Sequence, residues 1–173
     1  LLWDPNAQQN QSFGVALWIP SGGVGTTLTN EYDWHSGMGV NFSEATNHNV
    51  SGWKDARPML TQLNQIKQLY QRDYYPLTGF STANNVWMAW QYDSPESGQG
   101  LMQAFRRAYS AVGSMTFQLR GLDPAATYTL TVLDPTGAAT TPWNQTGSDL
   151  MSTGVAVSLP SVHSSVLITY AKN

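Results

Sequence analysis

The sequence predicts an α/β segment followed by an all-β antiparallel sandwich. Three observations carry this: apolar runs without alternation near the start, one stretch of helical period after them, and beyond Pro76 a series of short strands separated by turn residues. The first run is Phe13-Gly14-Val15-Ala16-Leu17-Trp18-Ile19, closed by Pro20 and the glycine-rich Ser21-Gly22-Gly23-Val24-Gly25. Such runs read as strands buried on both faces, as in parallel sheets and α/β barrels. A shorter candidate strand, Met38-Gly39-Val40-Asn41-Phe42, lies beyond a long polar loop. From Trp53 to Tyr70 the residues Met59, Leu60, Leu63, Ile66, Leu69 and Tyr70 recur at helical spacing, with Thr61, Gln62, Asn64, Gln65, Lys67 and Gln68 on the other face. Strand, loop, strand, loop and helix is the order found at the end of a β/α repeat.

After Pro76, which cannot continue a helix, six segments read as strands: 86–93, 100–106, 114–120, 127–132, 155–159 and 165–170. The turns between them are Ser94-Pro95-Glu96-Ser97-Gly98, Asp123-Pro124-Ala125, Asp134-Pro135-Thr136-Gly137 and Leu159-Pro160-Ser161. Two units are therefore expected, residues 1–75 and residues 76–173. Trp87 and Trp90, three apart on one strand, are expected to point to opposite faces, one into the sandwich core.

Composition excludes several classes of function. Only 11% of the 173 residues are charged, the net charge is -3, and the sole basic pairing is Arg106-Arg107, so no nucleic-acid partner is expected. No apolar run reaches the roughly 18–20 residues that span a bilayer, so no membrane partner is expected either. Without cysteine there is neither a disulfide framework nor a thiolate metal site, and His35, His48 and His163 lack metal-ligand spacing. The glycine-rich stretch lacks a Gly-Lys-Ser/Thr ending and no helical pattern follows it, so it is read as a βα loop rather than a phosphate loop. No cofactor is implied. The chain opens on Leu1-Leu2-Trp3, inside apolar sequence and without methionine, as expected of an excised segment.

An ordered series of motifs resembles glycoside hydrolase family 36 and its relatives. It runs through Asp4-Pro5 with Gln9, Phe13-Gly14, Leu17-Trp18-Ile19-Pro20 and Gly25-Thr26, then Asp73-Tyr74-Tyr75-Pro76-Leu77-Thr78. It continues with 86–93, Gly100-Leu101, Ala104-Phe105-Arg106-Arg107, Leu119-Arg120-Gly121-Leu122-Asp123-Pro124 with Tyr128, Leu150-Met151, Gly154 and Leu167-Ile168-Thr169-Tyr170. The resemblance implies that residues 1–75 are the C-terminal end of a (β/α)8 catalytic TIM barrel and residues 76–173 its C-terminal antiparallel β-sandwich. It also implies retaining hydrolysis of terminal α-galactosides, with the α-galactoside bound through the parent barrel, and it leaves a homo-oligomer of the parent open. The chain departs from the pattern at Arg72 and Gly79, in the linker, and at Ser21 and His35-Ser36, in the loop on the barrel face that carries sites.

Retaining hydrolysis needs two carboxylates about 5–5.5 Å apart. The family places its acid/base aspartate in an Arg-Ser-Asp segment, and no Arg-Ser precedes Asp4, which fits a turn with Pro5. Both catalytic residues are therefore expected upstream of residue 1, and no catalytic residue is assigned within the chain. Glu31 and Asp33 flank Tyr32 in a polar segment with nothing to fix their separation, and Asp55 stands where it suits a helix dipole. Trp34 and His35 are the expected substrate-binding residues, since aromatic faces stack on sugar rings and His can hydrogen-bond hydroxyls. A different reading makes the sandwich itself a carbohydrate-binding module, with an exposed row drawn from Trp87, Trp90, Tyr92 or Trp143; a third makes it a purely structural accessory.

Overall fold

Period-two sequences with β-branched and aromatic residues build the body of the molecule. The computed structural model describes residues 4–19, 25–26, 30–44, 53–136, 138 and 140–173. A six-stranded antiparallel sheet holds β3 (Asp73–Pro76), β4 (Trp87–Ser94), β5 (Gln99–Arg106), β7 (Thr127–Val132), β8 (Trp143–Thr146) and β10 (Ser164–Lys172). Its order is β3-β4-β5-β10-β7-β8, which puts β10 in the middle. A second, two-stranded antiparallel sheet pairs β6 (Ser114–Phe117) with β9 (Val155–Ser158). The fold is mostly antiparallel β, as the sequence predicts for residues 76–173, and the sheet also takes in Asp73–Tyr75. Pro76 sits on the edge strand β3, where a missing N–H is tolerated.

The large sheet is buried on both faces, and alternation divides its side chains between two cores. Trp87, Ala89, Met102, Ala104, Ile168 and Tyr170 face Phe117, Val155 and Val157 of the small sheet. Met88, Trp90, Tyr92, Leu101, Phe105 and Leu167 face a helical layer that contributes Phe13, Tyr32, Trp34, Met59 and Ile66. Trp87 and Trp90 thus point to opposite faces, as their spacing requires.

The helical layer consists of α1 (Pro5–Ala16), α2 (Glu31–Gly37) and α3 (Trp53–Ile66), followed by a 3-10 turn at Leu69–Gln71. The helix expected over Trp53–Tyr70 is present and ends four residues early, and Gln62, expected on its polar face, is buried. The strand expected at Phe13–Ile19 is instead the end of α1. The Asp4 side chain accepts from the Asn6 N–H at 2.9 Å and Pro5 takes the first helical position, so the chain enters a helix there. An apolar run of this length does not by itself separate strand from buried helix. The strand expected at Met38–Phe42 is also absent. Met38 closes α2, and among the described residues before Asp73 extended pairing is confined to β1 (Gly25–Thr26) and β2 (Ser43–Glu44), which run parallel. Ser21–Val24, Thr27 and His48 lie outside the described residues, as does the Asp55 side chain.

One close approach sets the sheet's interior. Gly100 lies opposite Tyr170, and a Cβ there would run into the Tyr170 ring. The Tyr170 hydroxyl donates to Asp93 Oδ1 at 2.6 Å and accepts from Gln91 Nε2 at 2.7 Å, while Gln91 also bonds both backbone groups of Arg120. Burial holds the Asp93 carboxyl above the usual carboxylate range, and the Tyr170 hydroxyl bond pulls against that shift. Gly100→Ala should displace the ring and break this buried network, lowering stability by about 3 kcal/mol in urea titration.

Candidate functional site

The residues singled out in the sequence meet where the helical layer joins the large sheet. Asn30 caps α2, its side-chain oxygen accepting the Asp33 N–H at 3.0 Å, so the segment expected as an irregular loop is helical. Trp34 and His35 are each 0% exposed. Both lie in the interior of this chain, away from any open pocket rim. Trp34 packs its ring against Phe42 at 4.9 Å, and its indole N–H is buried without a partner.

His35 bridges three elements. Gln62 of α3 donates its amide to the Leu133 carbonyl at 2.7 Å, leaving its oxygen to accept the His35 Nε2–H at 2.7 Å. Nδ1 then accepts the Ser165 hydroxyl of β10 at 2.8 Å, which makes the ring a neutral Nε2–H tautomer. Gln103 of β5 donates to the His35 carbonyl at 3.4 Å and accepts the Trp90 indole N–H at 2.8 Å. Burial holds the imidazole pKa at about 4, against 6.5 for a free histidine, and the bond to Gln62 opposes the shift. The unfolded chain therefore takes up a proton on this ring well before the folded one does. Stability from neutral His35 is fully present above pH 6.5 and falls as pH drops toward 4, by about 3 kcal/mol in all. His35→Gln should remove that part of the acid sensitivity, read as the difference between the two proteins in denaturant unfolding at pH 7 and pH 4.

A second joint fastens α1. Arg107 is fully buried and donates to the Ser81 and Ala83 carbonyls at 2.8 and 2.7 Å, to Gln9 Oε1 at 3.0 Å and to Asn10 Oδ1 at 2.7 Å. Gln9 in turn donates to the Ser36 hydroxyl at 2.9 Å. Arg106 turns the other way, gripping the carbonyls of Leu159 and Pro160 at 2.7 Å and of Ser110 at 2.8 Å. The basic pair visible in the sequence is thus spent inside the fold, Arg106 on backbone oxygens and Arg107 on the Ser81 and Ala83 carbonyls and the side chains of Gln9 and Asn10. Nothing local marks Gln9, Gln62, Gln103, Arg107 or Ser165 as partners, because they meet across 27 to 130 residues of sequence.

Glu31 and Asp33 are two residues apart on a helix and so do not face each other. Burial and the charge of Asp134 hold the Glu31 carboxyl up, and burial does the same for Asp33, whose Oδ1 is unpartnered. Asp4 is an N-cap. Among the described residues no group of three or more His, Asp or Glu side chains could hold a metal ion, and no helix is long and apolar enough to cross a membrane.

Comparison with known proteins bears on this geometry. Residues 87–169, which cover most of the large sheet and all of the small one, match the model of the glycosyl hydrolase family 36 C-terminal domain. Over those residues the chain is similar to that domain. Solved structures extend the likeness over the helical layer. The chain superposes on AgaB, an α-galactosidase of Geobacillus stearothermophilus, with a TM-score of 0.76 and 20% identity. A doubly substituted variant of AgaA from the same organism, solved in complex with stachyose, gives a TM-score of 0.77 and 19% identity. The galactosidase domain of the α-galactosidase-sucrose kinase AgaSK gives a TM-score of 0.76 and 17% identity. In each case 99% of this chain is covered, but only 25% of the longer one. No curated protein matches. The matched residues therefore carry the sandwich core on one side of the large sheet and, on the other, face the layer that holds Trp34 and His35.

Proposed function

We propose that this chain is the bracing part of a longer retaining α-galactosidase-type glycosidase acting on terminal α-galactosides. In this reading residues 1–75 form the end of the parent's (β/α)8 barrel, residues 76–173 form the sandwich that supports it, and the catalytic carboxylates lie elsewhere in the parent. The observation that carries the reading is the large sheet buried on both faces, a wall with the sandwich core on one side and α1, α2 and α3 locked to the other by His35 and Arg107. The apolar side chains that follow α1 support it too: Leu17, Trp18 and Ile19 are 51%, 86% and 58% exposed, a surface suited to burial against further barrel repeats. Trp34 and His35 are both enclosed in this chain, so in this reading they serve the joint between the helical layer and the sheet. The chain alone should leave an aryl α-galactoside unhydrolysed over hours at millimolar substrate. Turnover at an enzyme-like rate, above about 1 per second, would place a carboxylate pair inside it and overturn the proposal.

A further inference from the structure

The exposed aromatic row that a carbohydrate-binding sandwich would need is not built from the expected residues. Trp87, Trp90 and Tyr92 are all buried, and Trp143 is partly covered. A different feature has the required chemistry. The loop between β3 and β4 and the loop between β5 and β6 border an open pocket of about 520 Å³, within the roughly 300–1,000 Å³ of small-molecule sites. Its floor is the Trp87 indole, held in place because its N–H donates to the Val112 carbonyl at 2.8 Å. Phe80 stands at the side, 57% exposed, its ring braced on Phe13 with centroids 6.0 Å apart.

We propose that this pocket binds a neutral pyranoside. Every lining side chain is uncharged, so nothing in it selects an ionic ligand. Phe80 and Met115, 57% and 40% exposed, offer apolar surface to the C–H face of a sugar ring beside the buried Trp87, while the exposed Asn85 amide and the Ser81 hydroxyl supply neutral hydrogen-bonding groups. The floor is rigid before any ligand arrives, because Arg106 fixes the Ser110 carbonyl and Trp87 fixes that of Val112. Gly79 lies in the lining with nothing within 4 Å of where its Cβ would be. A large side chain can therefore be placed there without displacing an existing contact.

The test is titration of the full chain with methyl α-galactopyranoside, followed by the Trp87 indole N–H resonance, with cyclohexanol as an apolar probe of similar ring size. The sugar should give a saturable shift with a dissociation constant in the millimolar range. Phe80→Ala should weaken it about tenfold, the worth of one aromatic partner, and Gly79→Trp should abolish it while leaving the rest of the spectrum in place. No saturable shift with the sugar, saturation by cyclohexanol alone, or an unchanged titration in Gly79→Trp would each overturn the proposal. Because binding is read on the chain by itself, the outcome is separate from whether the parent hydrolyses α-galactosides.

Discussion

Removal of residues 164–173 should leave a chain that no longer folds cooperatively. Those residues include β10, which pairs with β5 from Ser164 to Ala171 on one side and with β7 from Ile168 to Lys172 on the other. Its side chains enter both cores, Leu167 beside the helices and Ile168 and Tyr170 within the sandwich. Each such side chain contributes roughly 1.5–3 kcal/mol by burial, and together they approach the 5–15 kcal/mol that separates a whole domain from its unfolded state. Deletion also removes the Tyr170 hydroxyl on which Gln91 and Asp93 depend, and it opens two strand edges in the middle of the sheet. Near-ultraviolet circular dichroism and amide chemical-shift dispersion are the measurements. A dispersed spectrum with a sigmoidal melt after deletion would show that the remaining strands close without it.

Trp90→Ala should cost about 3–5 kcal/mol and should loosen one layer in preference to the other. The Trp90 ring is fully buried against Phe105 and Phe13, with centroids 5.0 and 6.2 Å away, and its N–H satisfies Gln103. All these partners lie on the helix side of the sheet. Hydrogen exchange should accordingly quicken across α1, α2 and α3 while β6 and β9 keep their protection. Trp87→Ala should reverse the pattern, because Trp87 packs on Phe117 at 6.0 Å in the sandwich core. Equal loosening of both layers by either change would mean that the two cores unfold as one unit.

The sandwich was legible in the sequence for a definite reason. Thr127–Val132 is read as a strand from end to end, and 86–93, 100–106 and 165–170 differ from β4, β5 and β10 by no more than two residues at either end. Period-two patterns bounded by Pro, Gly and Asp turns report directly on a sheet. The opposite faces of Trp87 and Trp90 followed from the same periodicity. Residues before 73 were harder. Phe13–Ile19 has the content of a buried strand, and the signal for a helix lies upstream in the Asp4-Pro5 cap and first turn, a pair that equally suits a loop. The Asn30 to Asp33 cap of α2 is similarly local but short. β8 and α4 (Gly147–Ser152) lack a strong apolar pattern, with Trp143 and Leu150 their main apolar anchors. The site was legible only as residue types: Trp34 and His35 stood out, while the enclosure of His35 rests on Gln62, Gln103 and Ser165, which no spacing rule connects to it.

The central place of β10 also governs when the protein can assemble. During synthesis β3, β4 and β5 leave the ribosome as a hairpin-joined meander, and β7 follows, but the strand that separates β5 from β7 emerges only once residues 164–172 are made. Until then two interior strand edges face the solvent, each able to pair with the wrong neighbour or with another nascent chain. A stall or cleavage shortly before residue 164 would leave every earlier element present and the sheet unclosed, a species that quality-control proteases and chaperones would meet as an aggregation-prone intermediate.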